Sequence, residues 1–323
     1  MSVHEFDALS PRTRHELTVA GDDGVAVSLP IIVLRGHSSR PRVVLMAGVH
    51  GDEYDGILAL QELARELDPT QLHGAVVVVP VANPLAFAAA QRRTPEDDID
   101  LNRVFPGRPD GSVTERLADL LYQRLLRQAD LVFTLHGATS SGELAPWIEF
   151  LNLPTPLGRI TYEAARASGF PDLIALPRLP GTLQTALADD GIPVIEGEVG
   201  GRGATRRANV DYYKERARDV LWHARLLNGQ APTGTEIEPR IWALHSVRAG
   251  ASGLLLKEKG LRDEVHTGDR VGTVVDLTGA VVADVRATCS GIIGSVREHS
   301  GVRPDDTAFI VWAAAEAYVG AVT

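Results

Sequence analysis

The sequence contains very little cysteine: Cys289 is the single thiol among 323 residues. One thiol excludes an intramolecular disulfide and a cysteine-rich metal site. This composition fits a chain that stays in a reducing compartment. Because Cys289 lies in a β-rich, apolar stretch near the end of the chain, we expect it to be a small core residue. We therefore expect a cytoplasmic protein.

Long apolar segments and an excess of positive charge are also missing. The most apolar stretch, 75–90, is interrupted by Asn83-Pro84, and the first residues contain neither a basic nor an apolar signal region. The formal net charge of -10 repels nucleic acid and anionic membranes. Two short basic clusters, 91–93 and 202–207, are interpreted as groups that bind a small anionic molecule, with solvated loop arginines as the alternative for the second cluster. We expect a small-molecule substrate, no nucleic acid and no membrane.

A chain of this length suits one large domain and a smaller one. Continuous apolar runs at 43–49, 75–81, 131–135 and 192–195 are typical of strands that are buried on both faces. A helix is predicted over 54–67, and a capping box of Ser112 and Glu115 begins another. Strands that alternate with helices predict an α/β fold with a mixed central sheet flanked by helices.

The composition of the sequence changes after about Gly234. Valine, threonine and glycine become frequent, helical periodicity disappears, and segment 249–254 is similar to segment 287–292. This weak internal repeat predicts a small all-β barrel or sandwich, which resembles the barrel-sandwich domains of biotinyl and lipoyl carriers. The Met-Lys-Met tip of such carriers is missing, so a carrier role is not expected. We therefore divide the chain into a main domain, residues 1–235, and a β-rich C-terminal domain, residues 236–323.

Side chains that bind metals follow several of the predicted strands. His50 and Glu53 follow the run at 43–49, His136 follows the third strand, and Glu198 follows the fourth. The carboxyl ends of strands in an open α/β sheet gather ligands at one edge. The spacing of His50 and Glu53 lets both point at one ion, and His136 completes a set that is typical of catalytic zinc. A surface His–Glu pair is the alternative, and the same set also suits cobalt or manganese.

Five sequence blocks together carry a resemblance to a known family. They are, in order, GVHGDEYDG (48–56), NP (83–84), DLNRVFPG (100–107), LHG (135–137) and EVGG (198–201). This order resembles the succinylglutamate desuccinylase/aspartoacylase family, which is related to the zinc carboxypeptidases. The C-terminal β segment resembles the extra domain of bacterial members. The resemblance implies a zinc hydrolase domain in the first part of the chain.

The resemblance also implies a metal site and a general base. It places one Zn²⁺ per chain on His50, Glu53 and His136, and it makes Glu198 the catalytic carboxylate. Glu196, two residues earlier on the same strand face, is the alternative base. The family usually has Asp two residues before the second histidine, where this sequence has Thr134. Because residues behind a metal ligand tune its affinity, this difference predicts an altered site.

Three further residues gain roles from the resemblance. Arg93 would polarise the scissile carbonyl, and Asn102 and Arg103 would bind the substrate carboxylate. The sequence thus predicts zinc-dependent hydrolysis of the amide bond of a small N-acyl amino acid. The alternatives are a metallocarboxypeptidase acting on short peptides or γ-glutamyl bonds, and a relative that binds a metal or ligand without turnover. The sequence leaves a homo-oligomer open, and it does not fix the acyl group or the amino acid.

Overall fold

The computed structural model describes residues 11–21, 24, 26–228 and 238–315. Strands lie within these ranges at β1 (Arg12–Ala20), β2 (Ala26–Arg35), β3 (Arg42–Ala47), β4 (Ala75–Val79), β5 (Leu131–His136), β6 (Gly142–Leu151), β7 (Asp172–Leu176), β8 (Val194–Gly201), β9 (Arg240–Arg248), β10 (Gly253–Lys257), β11 (Glu264–Val265), β12 (Arg270–Val275), β13 (Val281–Arg286), β14 (Gly291–Arg297), β15 (Gly301–Val302) and β16 (Thr307–Ala314). The α-helices there are α1 (Tyr54–Glu66), α2 (Pro84–Ala88), α3 (Val113–Arg124), α4 (Pro156–Ala167), α5 (Leu183–Asp189) and α6 (Arg207–His223).

One long sheet organises the molecule, with the strand order β1-β2-β4-β3-β5-β8-β6-β7-β9-β16-β14-β11. Its central strands β4, β3, β5 and β8 are parallel. At one edge β1 and β2 are antiparallel, and β6 is antiparallel to β8 on the other side. Every residue of β3, β4 and β5 is buried, which agrees with their continuous apolar sequences. The predicted mixed α/β sheet is therefore confirmed.

Helices cover both faces of the central sheet. Alternate side chains of a strand point to opposite faces, and β3 illustrates the result. Val43 and Leu45 pack into the core shared with α1, α4 and α6, whereas Val44 and Met46 pack into the core shared with α3 and α5. No helix within the described ranges is both long enough and apolar enough to cross a membrane. The sheet edge between these two layers is where the strand-end side chains gather.

Several of the C-terminal strands pair with strands of the main sheet. β9 is parallel to β7, and β14 is antiparallel to β6, so β6, β7, β9, β16 and β14 close a ring of five strands. Trp147 and Trp312 are buried in the apolar cluster of these strands. A second, antiparallel sheet, β13-β12-β10-β15, packs over its own apolar cluster, at whose margin Cys289 is half-buried. The predicted boundary between residues 235 and 236 lies outside the described residues.

Candidate metal centre and substrate pocket

Two histidines and a glutamate meet at the carboxyl edge of the central strands. His50 lies in the turn after β3, Glu53 is the residue just before α1, and His136 is the last residue of β5. Nδ1 of His50 lies 2.7 Å from Oε1 of Glu53, and Nδ1 of His136 lies 3.2 Å from Oε2 of Glu53. One ligand atom from each of the three lies within 4.8 Å of the others. The structure therefore brings the three predicted metal ligands together.

Two glycines let the backbone turn tightly around His50. Gly48 has a φ of +62°, which glycine adopts without strain, and a Cβ there would lie 2.9 Å from the Cα of Val81. At Gly51, a Cβ would lie 2.0 Å from the carbonyl carbon of Ala86. Side chains at either position would displace the turn. The local sequence Gly-Val-His-Gly thus fixes where the imidazole of His50 can point.

The charges of this group suit a bound cation. Burial by itself would raise the pKa of Glu53, but the neighbouring imidazoles, His50 foremost, hold it well below its usual range. Burial lowers the pKa of both histidines, but the neighbouring carboxylates, Glu53 foremost, outweigh burial and raise the pKa of each. Buried imidazole nitrogens that converge on an ionised carboxylate are the donor set that zinc takes in catalytic sites. The residues present therefore fit a divalent metal.

Asp100 holds His50 from its far side, a contact that the sequence reasoning missed. Oδ1 of Asp100 lies 3.2 Å from Nε2 of His50, and its Oδ2 accepts a hydrogen bond from Nε of Arg92 at 2.9 Å. A carboxylate behind a metal-binding imidazole fixes the orientation and tautomer of the ring. His136 has no such support among the described residues, because its Nε2 and the Oγ1 of Thr134 are both buried without a partner. The side chain of Thr134 therefore supplies no hydrogen bond to the ring of His136.

The structure does not bring Arg93 to the metal ligands. Its side chain is 54% exposed and bonds to the side chain and backbone of Asp98. Arg92 takes the inner position instead, where its Nη1 lies 3.9 Å from Oε1 of Glu53. The two adjacent side chains point in different directions, and nothing in the sequence indicates which of them enters the site. Arg92 is therefore the member of this arginine pair that lines the pocket beside His50 and His136.

Asn102 and Arg103 both line the same pocket. Asn102 is buried, and its side-chain oxygen accepts a hydrogen bond from the backbone N–H of Leu183 at 2.8 Å. This contact leaves the amide nitrogen as the group of Asn102 that is available to a ligand. The guanidinium of Arg103 donates to the backbone carbonyl of Asn102 at 2.6 Å. These two predicted residues therefore lie where a small anion could meet them.

Three glutamates line the pocket, which has a volume of about 210 Å³. Glu198 is the register partner of His136 on β5, whereas Glu196 is the partner of Thr134, one step deeper in the sheet. Burial raises the pKa of Glu198 well above its usual range. Burial, followed by the charge of Glu196, raises the pKa of Glu149 to about 7. Glu149 was missed because no motif marks β6 as a strand.

A wider groove of about 780 Å³ adjoins the pocket and shares Arg92, Glu149 and Glu198 with it. Strands β14 and β16 form one wall of this groove through residues such as Ser295 and Phe309. The C-terminal strands therefore border the approach to the candidate metal centre.

A buried His₂Glu set at the carboxyl edge of an α/β sheet, with a small polar pocket beside it, is the arrangement typical of α/β metallohydrolases. Comparison with known proteins agrees with this class. A model of the succinylglutamate desuccinylase/aspartoacylase catalytic domain matches residues 39–224, which is more than half of the chain. The chain therefore belongs to the succinylglutamate desuccinylase/aspartoacylase family, as the five sequence blocks predicted.

Individual relatives match nearly the whole chain. It is 32% identical to the N-alpha-acetyl-L-2,4-diaminobutyric acid deacetylase of Halomonas elongata, over 92% of this chain and 89% of that protein. Among solved structures, the product-bound ectoine utilization protein EutE (DoeB) of Ruegeria pomeroyi has a TM-score of 0.87 at 29% identity, covering 94% of this chain and 95% of that one. A succinylglutamate desuccinylase/aspartoacylase of Rhodobacter sphaeroides has a TM-score of 0.88 at 28% identity, covering 97% and 98%.

Proposed function

We propose that this protein is a zinc-dependent hydrolase that cleaves the amide bond of a small N-acyl amino acid. The observation that carries the proposal is the convergence of His50, Glu53 and His136, of which the two histidines line a small pocket. The relatives support the substrate class, because one is named as the deacetylase of an N-acetylated amino acid and others as desuccinylases or aspartoacylases. The small pocket volume also favours a small substrate.

His50, Glu53 and His136 would hold one zinc ion per chain. When bound, zinc lowers the pKa of water toward neutrality and polarises a carbonyl oxygen. Asp100 would keep the ring of His50 in the orientation that presents Nδ1 to the metal, since it contacts Nε2. The same ligand set also accepts cobalt or manganese, so the identity of the metal as zinc is also a proposal.

Glu198 is the proposed general base. Its carboxylate would take a proton from the attacking water and pass it to the leaving nitrogen. A pKa raised by burial makes the carboxylate a better proton acceptor than an exposed glutamate. We prefer Glu198 to Glu196 because its register partner is the ligand His136, whereas the partner of Glu196 is Thr134.

The substrate-binding roles fall on three side chains. Arg92, in place of the Arg93 expected from the sequence, would stabilise the negative charge that develops on the carbonyl oxygen. Asn102 and Arg103 would bind the carboxylate of the substrate, with Arg103 supplying a planar pair of donors.

Replacing Arg92 and Arg93 separately with glutamine tests whether Arg92 is the arginine that stabilises the oxyanion. Arg92→Gln should lower kcat by about 10²–10³-fold, because it removes a donor to the developing oxyanion. Arg93→Gln is the matched control, and it should change kcat less than about threefold because its exposed ion pair with Asp98 stabilises little. Steady-state kinetics on one N-acetyl amino acid measures both. A larger loss in Arg93→Gln than in Arg92→Gln would return the role to Arg93.

The alternatives are a carboxypeptidase for short peptides or γ-glutamyl bonds, and a relative that binds without turnover. The wide groove beside the pocket gives the peptidase alternative its support, since it has room for more than one residue. A panel of N-acetyl, N-succinyl and N-formyl amino acids with two dipeptides separates them. We expect cleavage of the acyl amino acids alone. Cleavage of the dipeptides alone would replace the proposal by the peptidase alternative.

We also propose that residues 236–323 form a barrel-sandwich-like domain that is joined to the main sheet through β9 and β14. The apolar cluster beneath the second sheet supports this, because all its members lie between residues 247 and 311. A cytoplasmic location and a homo-oligomer stay predictions from the sequence.

A further inference from the structure

We infer that Tyr213 is a positioning residue of the metal centre, because its hydroxyl fixes the strand end that carries His136 relative to the strand that carries Glu198. This inference rests on the proposed function and adds to it a residue behind the pocket. Tyr213 lies on α6, is fully buried, and is not among the side chains that line the pocket. Its hydroxyl is a buried hydrogen-bond donor that the roles above leave unused.

The hydroxyl of Tyr213 joins two neighbouring strands. It donates a hydrogen bond to the backbone carbonyl of His136, and its oxygen lies 2.8 Å from the backbone carbonyl of Gly197 on β8. Carbonyl oxygens only accept hydrogen bonds, so the single O–H of Tyr213 is shared between the two strands. One carbonyl belongs to a metal ligand, and the other belongs to the residue just before the proposed base, Glu198. One side chain therefore holds the ligand and the base at a set distance from each other.

The pairing of β5 with β8 shows why this hydrogen bond matters. Glu198 is the register partner of His136, and β5 ends at His136, so the ladder between the two strands does not extend past this ligand. The hydroxyl of Tyr213 supplies a further bond at the point where the ladder stops. A catalytic group must lie within about 0.5 Å of its productive position. A small shift between the two strand ends would therefore move the base away from the metal.

The ring of Tyr213 packs directly against β8 because Gly197 has no side chain. A Cβ at Gly197 would lie 3.1 Å from Cε1 of Tyr213 and 3.1 Å from the ring of Phe133. The ring of Phe170 also lies edge-on to that of Tyr213, with 6.5 Å between their centroids. The ring supplies the packing and the hydroxyl supplies the hydrogen bonds, so the two contributions can be separated by a single substitution.

A second set of contacts fixes α6 itself beside the third metal ligand, Glu53. Asp55, two residues further along the chain, is buried at the start of α1. Its carboxylate accepts hydrogen bonds from the backbone N–H of Arg206 at 2.7 Å and from the side-chain amide of Asn209 at 2.8 Å. The first turns of α6 are therefore bonded to the start of α1 as well as to β5 and β8, which together carry the ligands and the proposed base.

Tyr213→Phe tests the inference, because it keeps the ring and removes only the hydroxyl. With an N-acyl amino acid that the wild-type protein cleaves, kcat should fall about tenfold or more, since the base and the metal are no longer held at a set distance. KM should change less than about twofold, because Asn102 and Arg103 are untouched. A loss carried by KM alone would overturn the inference.

Tyr212→Phe is the matched control, because it makes the same exchange at the adjacent residue of α6. The hydroxyl of Tyr212 bonds to neither β5 nor β8, and its ring packs against Phe170 and Arg216. Its kcat and KM should match those of the wild type. An equal loss of kcat in both variants would assign the effect to the packing of α6 and would overturn the role of the Tyr213 hydroxyl.

Zinc affinity separates this inference from the proposed function, because its measurement needs no substrate. Metal-free protein is titrated with zinc in competition with a chromogenic chelator. Tyr213→Phe should bind zinc about tenfold more weakly than both the wild type and Tyr212→Phe, as expected when a residue behind a ligand is altered. If the wild type cleaves no N-acyl amino acid, the proposed function has failed while the zinc affinity still decides the inference. A lower melting temperature in Tyr213→Phe with kcat and zinc affinity both unchanged would make the hydroxyl purely structural and would overturn the inference.

Discussion

Replacing Glu198 with glutamine is expected to lower kcat by about 10²–10⁴-fold while the metal stays bound. The amide keeps the size and shape of the side chain but cannot accept the proton of the attacking water. The metal ligands His50, Glu53 and His136 are untouched, so the metal content should stay at about one ion per chain. Steady-state kinetics and elemental analysis of the same preparation measure both quantities.

Glu196→Gln is the control for this prediction, because it changes the same kind of side chain on the same face of β8. With a neutral N-acetyl amino acid it should lower kcat less than tenfold. A larger loss in Glu196→Gln than in Glu198→Gln would exchange their roles. If Glu198→Gln loses turnover but keeps the metal, the wild-type protein must itself catalyse turnover. That result would exclude the alternative of a relative that binds a metal or ligand without turnover.

Replacing His50 with alanine is expected to remove the metal and nearly all activity. His50 supplies one of the three ligand side chains, and its ring is held between Glu53 and Asp100. Without it, the metal bound after dialysis should fall to less than a tenth of that of the wild type. Because the metal stabilises the transition state by several kcal/mol, kcat/KM should fall by at least about 10³-fold.

His266→Ala is the matched control, because the side chain of His266 is 86% exposed and lies in the C-terminal segment. It should retain both the metal and the activity. Full metal content in His50→Ala would show that the ion binds elsewhere. Retained activity without metal would contradict the mechanism itself.

The proximity of the three candidate metal ligands could be predicted from local signals. The run Val43–Val49 is apolar throughout because β3 is buried on both faces, and the residues that follow such a strand lie at the carboxyl edge of the sheet. His50, Glu53 and His136 could therefore be placed together without any contact information. The family resemblance then supplied roles that spacing alone leaves open.

The parts of the site that sequence reasoning missed depend on contacts between distant segments. Arg92 points into the pocket because it bonds to Asp100, whereas Arg93 points outward and bonds to Asp98. Two adjacent arginines show no sequence periodicity from which these directions could be predicted. Glu149 lies on β6, whose pairing with β7, β8 and β14 is set by tertiary structure. The internal repeat predicted a β-rich end of the chain, yet it held no information about the parallel pairing of β9 with β7.

The central claim is that a metal held by His50, Glu53 and His136 drives the cleavage of a small N-acyl amino acid. The most direct test measures metal content and deacylase activity on one preparation, before chelation, after chelation and after zinc is restored. The account predicts about one zinc per chain, activity that is lost with the chelator and activity that returns with zinc. Cleavage that continues unchanged in the metal-free protein would contradict it.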